Sequence, residues 1–159
     1  MIFPIALIAT LFLTQIARAV PQACYYPTSP EPSTPEEQFL VTAPIYTAKH
    51  DKEFDKADQS VTEVACSEFA GRFPTFEDFP FFPYIGGAYE TTKNSSHCGA
   101  VWKIANKDNS SRWIHFISID NAVGDSFSLS GAAYYQLGGT QTESLGVKAT
   151  LVGHLTVTN

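Results

Sequence analysis

The amino-acid sequence predicts a mainly β protein, a small closed barrel of about six strands with one or two short helices. From Ile45 onward, short segments rich in β-branched and aromatic residues are separated by Gly, Pro, Asn and Asp, the residues typical of turns. No strand–helix–strand rhythm occurs along the chain. Many short strands without helical crossovers are typical of a barrel rather than of a parallel sheet covered by helices.

Residues 1–19 are predicted to be a secretion signal that does not belong to the fold. Residues 2–16 form an apolar run with few polar interruptions, and Ala17-Arg18-Ala19 follows as a small-x-small cleavage site. A membrane anchor, the alternative, needs about 20 unbroken apolar residues. We therefore expect a secreted protein, extracellular or held in a cell wall.

Residues 20–44 are expected to be a disordered leader, because their many prolines remove ladder donors and favour extended polyproline II backbone. This places one folded domain at residues 45–159. The whole chain carries a formal net charge of -6. Since an acidic protein is repelled by nucleic acid and by anionic lipid, neither nucleic acid nor a membrane is expected as a partner.

The first half of the domain combines β-favouring segments with a polar loop and an aromatic cluster. Residues 45–48 predict a strand, residues 50–58 a solvated loop, and Ser60–Cys66 a second short β-favouring segment. The six phenylalanines of residues 69–82 are interrupted by prolines, which exclude a long helix. We expect these rings to form a satellite core over one end of the sheet, with a sugar-stacking surface as the alternative.

Phe82–Trp102 is the most specific segment of the chain. Its Phe-Pro-Tyr-Ile-Gly-Gly run predicts a corner, because Pro83 fixes φ and the two glycines permit positive φ or a close backbone approach. Val-Trp-Lys-Ile, shortly after Cys98, favours a strand. Residues 113–120 are nearly all apolar, as expected for a central strand buried on both faces.

The last part of the chain predicts one helix and one long strand. Ser130–Leu137 has the length of a two-turn helix, with Ser130 as its N-cap and two glycines after its end. From residue 147 to residue 157 the pattern has a period of two, which places Val147, Ala149 and Leu151 on one inward face.

The three cysteines leave one thiol over, because their number is odd. Cys66 and Cys98 are expected to pair, since both lie in the folded part whereas Cys24 lies in the Pro-rich leader. A bridge over a loop of this size stabilises by roughly 3 to 4 kcal/mol in the chain-entropy model. For Cys24, a free thiol and an intermolecular bridge both remain open.

At these segments the chain resembles the cerato-platanin family of small secreted fungal proteins. His50–Asp55 is similar to the family's Tyr-Asp-x-x-Tyr-Asp, Ser60–Ser67 to its Ser-Leu-Thr-Asp-Val-Ala-Cys-Ser, and Phe82–Gly87 reproduces Phe-Pro-Tyr-Ile-Gly-Gly. Asn94–Lys103 resembles Asn-Ser-Pro-Ser-Cys-Gly-Thr-Cys-Trp-Lys, and Ile119–Ala122 resembles Val-Asp-His-Ala. The resemblance covers residues 45–157.

Two departures from the family pattern are visible. Family members usually carry four cysteines in two bridges, whereas Val101 stands at the third position here and no fourth cysteine follows it. The loss of both partners of one bridge supports the pairing of Cys66 with Cys98. The opening tyrosines are replaced by His50 and Phe54, which removes the hydroxyls from those positions.

The resemblance implies a double-psi β-barrel that binds chitin or N-acetylglucosamine oligomers in a shallow groove. It also implies a protein that loosens polysaccharide packing without cutting bonds, in the manner of expansins, and that plants perceive as an elicitor of defence. A plant cell-surface receptor would then be a further partner. An effector that blocks elicitor perception, or that self-associates at surfaces, is the alternative.

Asp120 is the first candidate for sugar binding. It ends the most apolar strand and begins a loop, so its carboxylate is expected at the barrel rim, where it can accept hydrogen bonds from sugar hydroxyls or N-acetyl groups. The alternative is that Asp120 caps backbone amides of the loop. The predicted carbohydrate site is completed by Asn121, Ser126, Phe127 and Tyr84.

Enzymatic chemistry is not expected. Glycoside hydrolysis usually needs two carboxyl groups at a defined separation, and only Asp125, on the same loop, accompanies Asp120. A lytic protein that uses a single carboxylate is the alternative. The four histidines show no metal-ligand spacing, so no catalytic residue, metal or cofactor is predicted. Asn94 and Asn109 each begin a sequon and are predicted glycosylation sites.

Overall fold

The computed structural model describes residues 43–140 and 143–155, and these residues are mainly in strands and short 3₁₀ turns. The strands are β1 (Ile45–His50), β2 (Ile85–Ala88), β3 (Ala100–Asn106), β4 (Trp113–Asn121), β5 (Ser126–Leu129) and β6 (Leu145–His154). One helix, α1 (Gly131–Gln136), lies between β5 and β6, and 3₁₀ helices span Lys52–Asp55, Val61–Glu63, Ser67–Gly71 and Phe76–Asp78. The predicted signal peptide, most of the leader and Cys24 lie outside the described residues.

The six strands close into a barrel in the order β1-β5-β2-β4-β3-β6, which confirms the predicted fold class. Two pairs, β1 with β5 and β2 with β4, are parallel, and the other four are antiparallel. Parallel neighbours cannot be joined by a hairpin, so the chain must cross the barrel ends between them. Two such parallel pairs in a six-stranded barrel agree with the double-psi arrangement.

The interior of the barrel is filled by alternate side chains of its strands, as a period of two requires. Trp102 is buried among them, and its indole N–H donates a hydrogen bond to Ser118 Oγ over 3.3 Å. The other members are aliphatic and aromatic, including Ile104, Phe116 and Leu129. Trp102 is thus a core residue.

A second core lies on the outer face of β2 and β4. There the segment between β1 and β2 packs Phe54, Phe76 and Phe79 against Ile117 and Ile119, which point out of the barrel. This confirms the predicted satellite core and explains why residues 113–120 are apolar on both faces.

The prediction of an extended segment at Ser60–Cys66 was wrong. Residues Val61–Glu63 form a 3₁₀ turn, because the Ser60 hydroxyl accepts the N–H of Thr62 over 3.3 Å and begins the turn as its N-cap. The β-branched Val61 is buried in the outer core instead of lying in a strand. The segment keeps only one isolated β-bridge, from Ser60 to Thr75.

Gly86 and Gly87, after the predicted corner, allow neighbouring strands to approach closely; neither adopts a positive φ. The Phe82–Pro83 bond is cis, and β2 follows immediately with all four residues buried. A Cβ at Gly86 would lie 2.1 Å from the backbone oxygen of Ser128 in β5. Only glycine allows β5 and β2 to pack at this distance.

The helix predicted at Ser130–Leu137 is confirmed as α1. The long strand predicted from residue 147 is confirmed as β6, but its alternation holds for only part of its length. The Ser130 side chain accepts the N–H of Ala133 at the start of α1. In β6, Val147 and Ala149 point inward, but Leu151 is 42% exposed. A bulge opposite β3 inserts one extra residue beside Leu151, and this breaks the alternation. No helix in residues 43–140 or 143–155 is long and apolar enough to cross a membrane.

Candidate functional site

A bulge near the end of β4 sets the direction of the Asp120 side chain. Gly86 pairs with Ser118 and Gly87 with Asp120, so Ile119 is an extra residue in β4. Two successive residues then face one partner, and the regular alternation ends there. Asp120 is therefore not aligned with Ser118, whose side chain points into the barrel.

The Asp120 carboxylate accepts hydrogen bonds from two backbone amides. Its Oδ1 accepts the N–H of Ala65 over 3.0 Å and the N–H of Asn121 over 2.8 Å. The neighbouring amide of Cys66 donates to the carbonyl of Ile119 over 3.0 Å. Asp120 thus lies at the rim, as predicted, and it makes the capping contacts that were the alternative to sugar binding.

The Cys66–Cys98 disulfide adds a covalent link beside these hydrogen bonds. Its S–S distance is 2.11 Å and the two residues are 32 positions apart, which confirms the predicted pairing. The outer segment of residues 51–84 is thereby tied to the turn before β3, where the N–H of Gly99 donates to the carbonyl of Ser118 in β4 over 2.9 Å. Cys66, Glu68 and Cys98 form a group of metal-ligand type within the described part of the chain, but both sulfur atoms are used in the bridge.

The loop between β4 and β5 extends this rim. Asn121 is exposed, and Val123 is 93% exposed. Ser126 is half-buried, and its hydroxyl donates to the carbonyl of Val123 over 2.6 Å. The loop is held to β2 by the N–H of Ala122, which donates to the carbonyl of Ala88 over 3.0 Å. These hydrogen bonds therefore fix the backbone of the segment that carries Asn121 and Ser126.

Two tyrosines that the sequence analysis missed lie beside this loop. The rings of Tyr46 and Tyr89 stack with centroids 5.1 Å apart and planes 13° apart, and their hydroxyls are 3.2 Å apart. The N–H of Tyr89 donates to the carbonyl of Ser126 over 3.1 Å, which joins the pair to the loop. We call Tyr46, Tyr89 and residues 121–126 the tyrosine rim.

The tyrosine pair lies over the aromatic core at this end of the barrel. Tyr89 packs against Trp102, and Tyr46 packs edge-on against Phe127, with ring centroids 5.5 and 5.4 Å apart. Burial, followed by the hydrogen bond with Tyr46, raises the pKa of Tyr89 well above its usual range. The Tyr89 phenol therefore keeps its proton at any physiological pH and remains a hydrogen-bond donor.

Two predicted sugar contacts occupy other places. Phe127 is fully buried and packs against Trp102 and Phe116, so its ring has no surface to offer a sugar; that assignment is corrected. Tyr84 precedes β2, whereas Tyr89 follows it, so about 13 Å of strand separates Tyr84 from the tyrosine rim. Asp120, Asn121 and Ser126 thus lie at the ends of β4 and β5 that flank the same loop, whereas Tyr84 lies at the other end of β2.

Both predicted glycosylation sites are on exposed turns. Asn94 is exposed with a φ of 60°, and Asn109 lies in the loop between β3 and β4. The Asn109 Oδ1 accepts the hydroxyl of Ser111 over 2.6 Å, within its own sequon. Glycosylation at these asparagines stays a prediction.

A closed six-stranded barrel with two parallel strand pairs, one disulfide and a polar rim defines a small double-psi β-barrel protein. The sequence profile of the cerato-platanin family matches residues 46–156. The chain therefore belongs to the cerato-platanin family, as its motifs indicated.

Solved structures and curated relatives agree with this family. The crystal structure of cerato-platanin 2 from M. perniciosa is 30% identical with a TM-score of 0.63, and the match covers 69% of this chain and 95% of that one. The solution structure of the fungal elicitor Cerato-Platanin is 26% identical with a TM-score of 0.60, over 67% of this chain and 92% of that one. Allergen Asp f 15 of Aspergillus fumigatus is 32% identical over 123 residues, which are 74% of this chain and 78% of that protein. Its homolog in Arthroderma benhamiae is 34% identical over 107 residues, 61% of this chain and 49% of that protein.

Proposed function

We propose that this protein is a secreted, non-catalytic carbohydrate-binding protein whose tyrosine rim takes N-acetylglucosamine oligomers of the chitin type. The observation that carries the proposal is the stacked Tyr46–Tyr89 pair, fixed beside the exposed Asn121 and the half-buried Ser126. Aromatic rings offer an apolar face to a sugar, and neighbouring polar groups supply direction through hydrogen bonds.

The polar groups of the tyrosine rim suit an N-acetylated sugar. Such a sugar presents hydroxyl and N–H donors together with a carbonyl acceptor. The Asn121 amide can both donate and accept, and the paired tyrosine hydroxyls can do the same. The rim is fixed by backbone hydrogen bonds to β2, so little ordering is needed when the ligand binds.

Binding is favoured over hydrolysis by the role of Asp120. One of its oxygens already holds two backbone amides, so the carboxylate is part of the frame of the rim. A glycosidase usually needs a general acid and a second carboxylate across the scissile bond. We therefore assign Asp120 to shaping the rim and assign the sugar contacts to Tyr46, Tyr89, Asn121 and Ser126.

Calorimetric titration with N-acetylglucosamine oligomers tests the assignment. Tyr46→Phe keeps the ring and removes one hydroxyl, and Asn121→Ala removes an exposed amide. Each should weaken binding about fivefold, the equivalent of one hydrogen bond of about 1 kcal/mol. Tyr135→Phe is the matched control, because Tyr135 is an exposed tyrosine on α1. Absence of heat with the unmodified protein, or equal loss in the control, would remove the tyrosine rim as the site.

In the wider role that we propose, the protein acts at the fungal cell wall and in plant interaction, as an elicitor or effector. Support comes from the family and from a structural relative, the fungal elicitor Cerato-Platanin. Infiltration of leaves with the purified protein should produce an oxidative burst. If the protein instead suppresses the burst caused by a two-bridge relative, it acts as an effector; if it does neither, this role is excluded.

A further inference from the structure

Charge is distributed unevenly between two outer faces of the barrel. Residues 51–78, which cover the outer face of β2 and β4, contain eight carboxylates and three basic side chains. In contrast, β1, β3 and β6 contain no Asp or Glu, although the chain as a whole is acidic. These three strands therefore carry Lys49, Lys103 and Lys148 and no carboxylate, on a protein of net charge -6.

The strand register places the positive side chains around one tryptophan. Lys103 in β3 pairs with His115 in β4, and its Nζ lies 4.8 Å from the centroid of the Trp113 ring. The rings of Trp113 and His115 are 5.2 Å apart. On the other side of β3, Lys148 and Thr150 of β6 pair with Ala105 and Lys103. We call the outward side chains Lys103, Trp113, His115, Lys148 and Thr150 the lysine–tryptophan face.

Trp113 and His115 lie far from the tyrosine rim along β4. Lys148 is nearer, because it pairs with Ile45 beside Tyr46, but its side chain is on the opposite face of the sheet from Tyr46, which packs against the barrel core. Trp113 begins β4 and Asn121 ends it, so about 25 Å of strand lies between the two. Trp113 is half-buried and His115 is exposed, so part of this face is open to solvent. From the sequence, these side chains are predicted only to lie in strands.

We propose that the lysine–tryptophan face binds an anionic polysaccharide built from uronic acids. A tryptophan ring offers a stacking surface for a sugar ring, and flanking lysines attract a carboxylate on the same or the next sugar. An anionic chain is attracted by the charge of these side chains even where they already contact other parts of the protein.

A uronic-acid polymer fits this face better than nucleic acid does. Duplex DNA carries one charge per about 1.7 Å, and its strong field would also act on the many carboxylates of this acidic protein. A polyuronate carries at most one carboxylate per sugar and presents a sugar ring for Trp113 in each repeat. The ligand is thus different in charge from the neutral oligomers assigned to the tyrosine rim.

The test compares polygalacturonate with the same polymer after methyl esterification, which removes its charge. Affinity electrophoresis of the full chain should show retardation by polygalacturonate that weakens with added salt, and none by the ester. The double variant Lys103→Gln/Lys148→Gln should weaken binding at least tenfold, and Trp113→Ala about fivefold. Trp113→Tyr keeps a ring and should retain most of the binding, which separates loss of stacking from loss of fold.

Two controls make the outcome decisive. Lys52→Gln/Lys93→Gln changes the net charge by the same amount at exposed lysines elsewhere and should stay within twofold of the unmodified protein. Binding of N-acetylglucosamine oligomers should be unchanged in all of these variants, so failure here is distinguishable from failure of the tyrosine rim. Absence of retardation, equal loss in the charge-matched control, or equally tight binding to duplex DNA would overturn the proposal.

Discussion

Removal of the Cys66–Cys98 bridge should take away a large part of the stability of the domain. The bridge joins residues 32 positions apart, and in the chain-entropy model a loop of this length gives about 3.7 kcal/mol at 25 °C. Cys66 is fully buried in the outer core, so replacement by alanine also removes a small packing contribution, about 1 kcal/mol. Typical domains have only about 5 to 15 kcal/mol in total, so the double variant Cys66→Ala/Cys98→Ala should be marginally stable.

Equilibrium urea unfolding measures this loss directly. In thermal unfolding, at about 4 °C per kcal/mol for a domain of this size, the melting temperature should fall by about 19 °C. Amide exchange adds a local readout, because the N–H of Cys66, bonded to Ile119, should lose protection. Cys24→Ala leaves the bridge intact and should stay within about 0.5 kcal/mol of the unmodified protein. If the double variant lost less than about 1 kcal/mol, the bridge would not be what holds residues 51–84 on the barrel.

Three further changes test other parts of the account. Asp120→Ala removes the acceptor of two backbone amides, so the free energy of unfolding, measured with urea, should fall by about 2 to 3 kcal/mol. Asp120→Asn keeps an acceptor oxygen and should lose less than half of that amount. Equal losses in the two variants would contradict the capping role. Gly86→Ala places a Cβ 2.1 Å from a β5 carbonyl and should cost more than about 3 kcal/mol, while Gly71→Ala, with open space around it, should be nearly neutral. Burial and the hydrogen bond with Tyr46 raise the pKa of Tyr89, so above about pH 10 the unfolded chain releases the Tyr89 proton while the folded chain keeps it. The melting temperature should therefore fall as the pH rises above about 10. The fall should be smaller in Tyr89→Phe, which lacks this proton.

The features that the sequence predicted well are those carried by local patterns. Ser130 followed by a short apolar segment and then glycines predicts α1, because capping acts within a few residues. The Pro-aromatic-Gly-Gly run predicts that strands pass close together at Gly86, because only glycine lacks the atom that would clash. The barrel follows from the number of short strands, and the closing disulfide from the two cysteines within the folded part.

The features that local patterns do not predict depend on contacts between residues far apart in the sequence. Tyr46 and Tyr89 are 43 positions apart, and nothing local shows that their rings will stack. The exposure of Leu151 follows from a bulge against β3, which the alternation within β6 cannot reveal. Phe127 was assigned to the sugar because it lies near Asp120 in sequence, yet strand alternation turns its ring into the core.

The central claim is that the tyrosine rim is the surface that binds N-acetylglucosamine oligomers. The most direct measurement is a nuclear magnetic resonance titration of the isotope-labelled protein with such an oligomer, followed by mapping of the shifted amide signals. We expect the largest shifts at Tyr46, Tyr89, Asn121 and Ser126, with Tyr84 and Trp113 unchanged. Absence of shifts, or shifts centred at the opposite end of the barrel, would contradict the assignment.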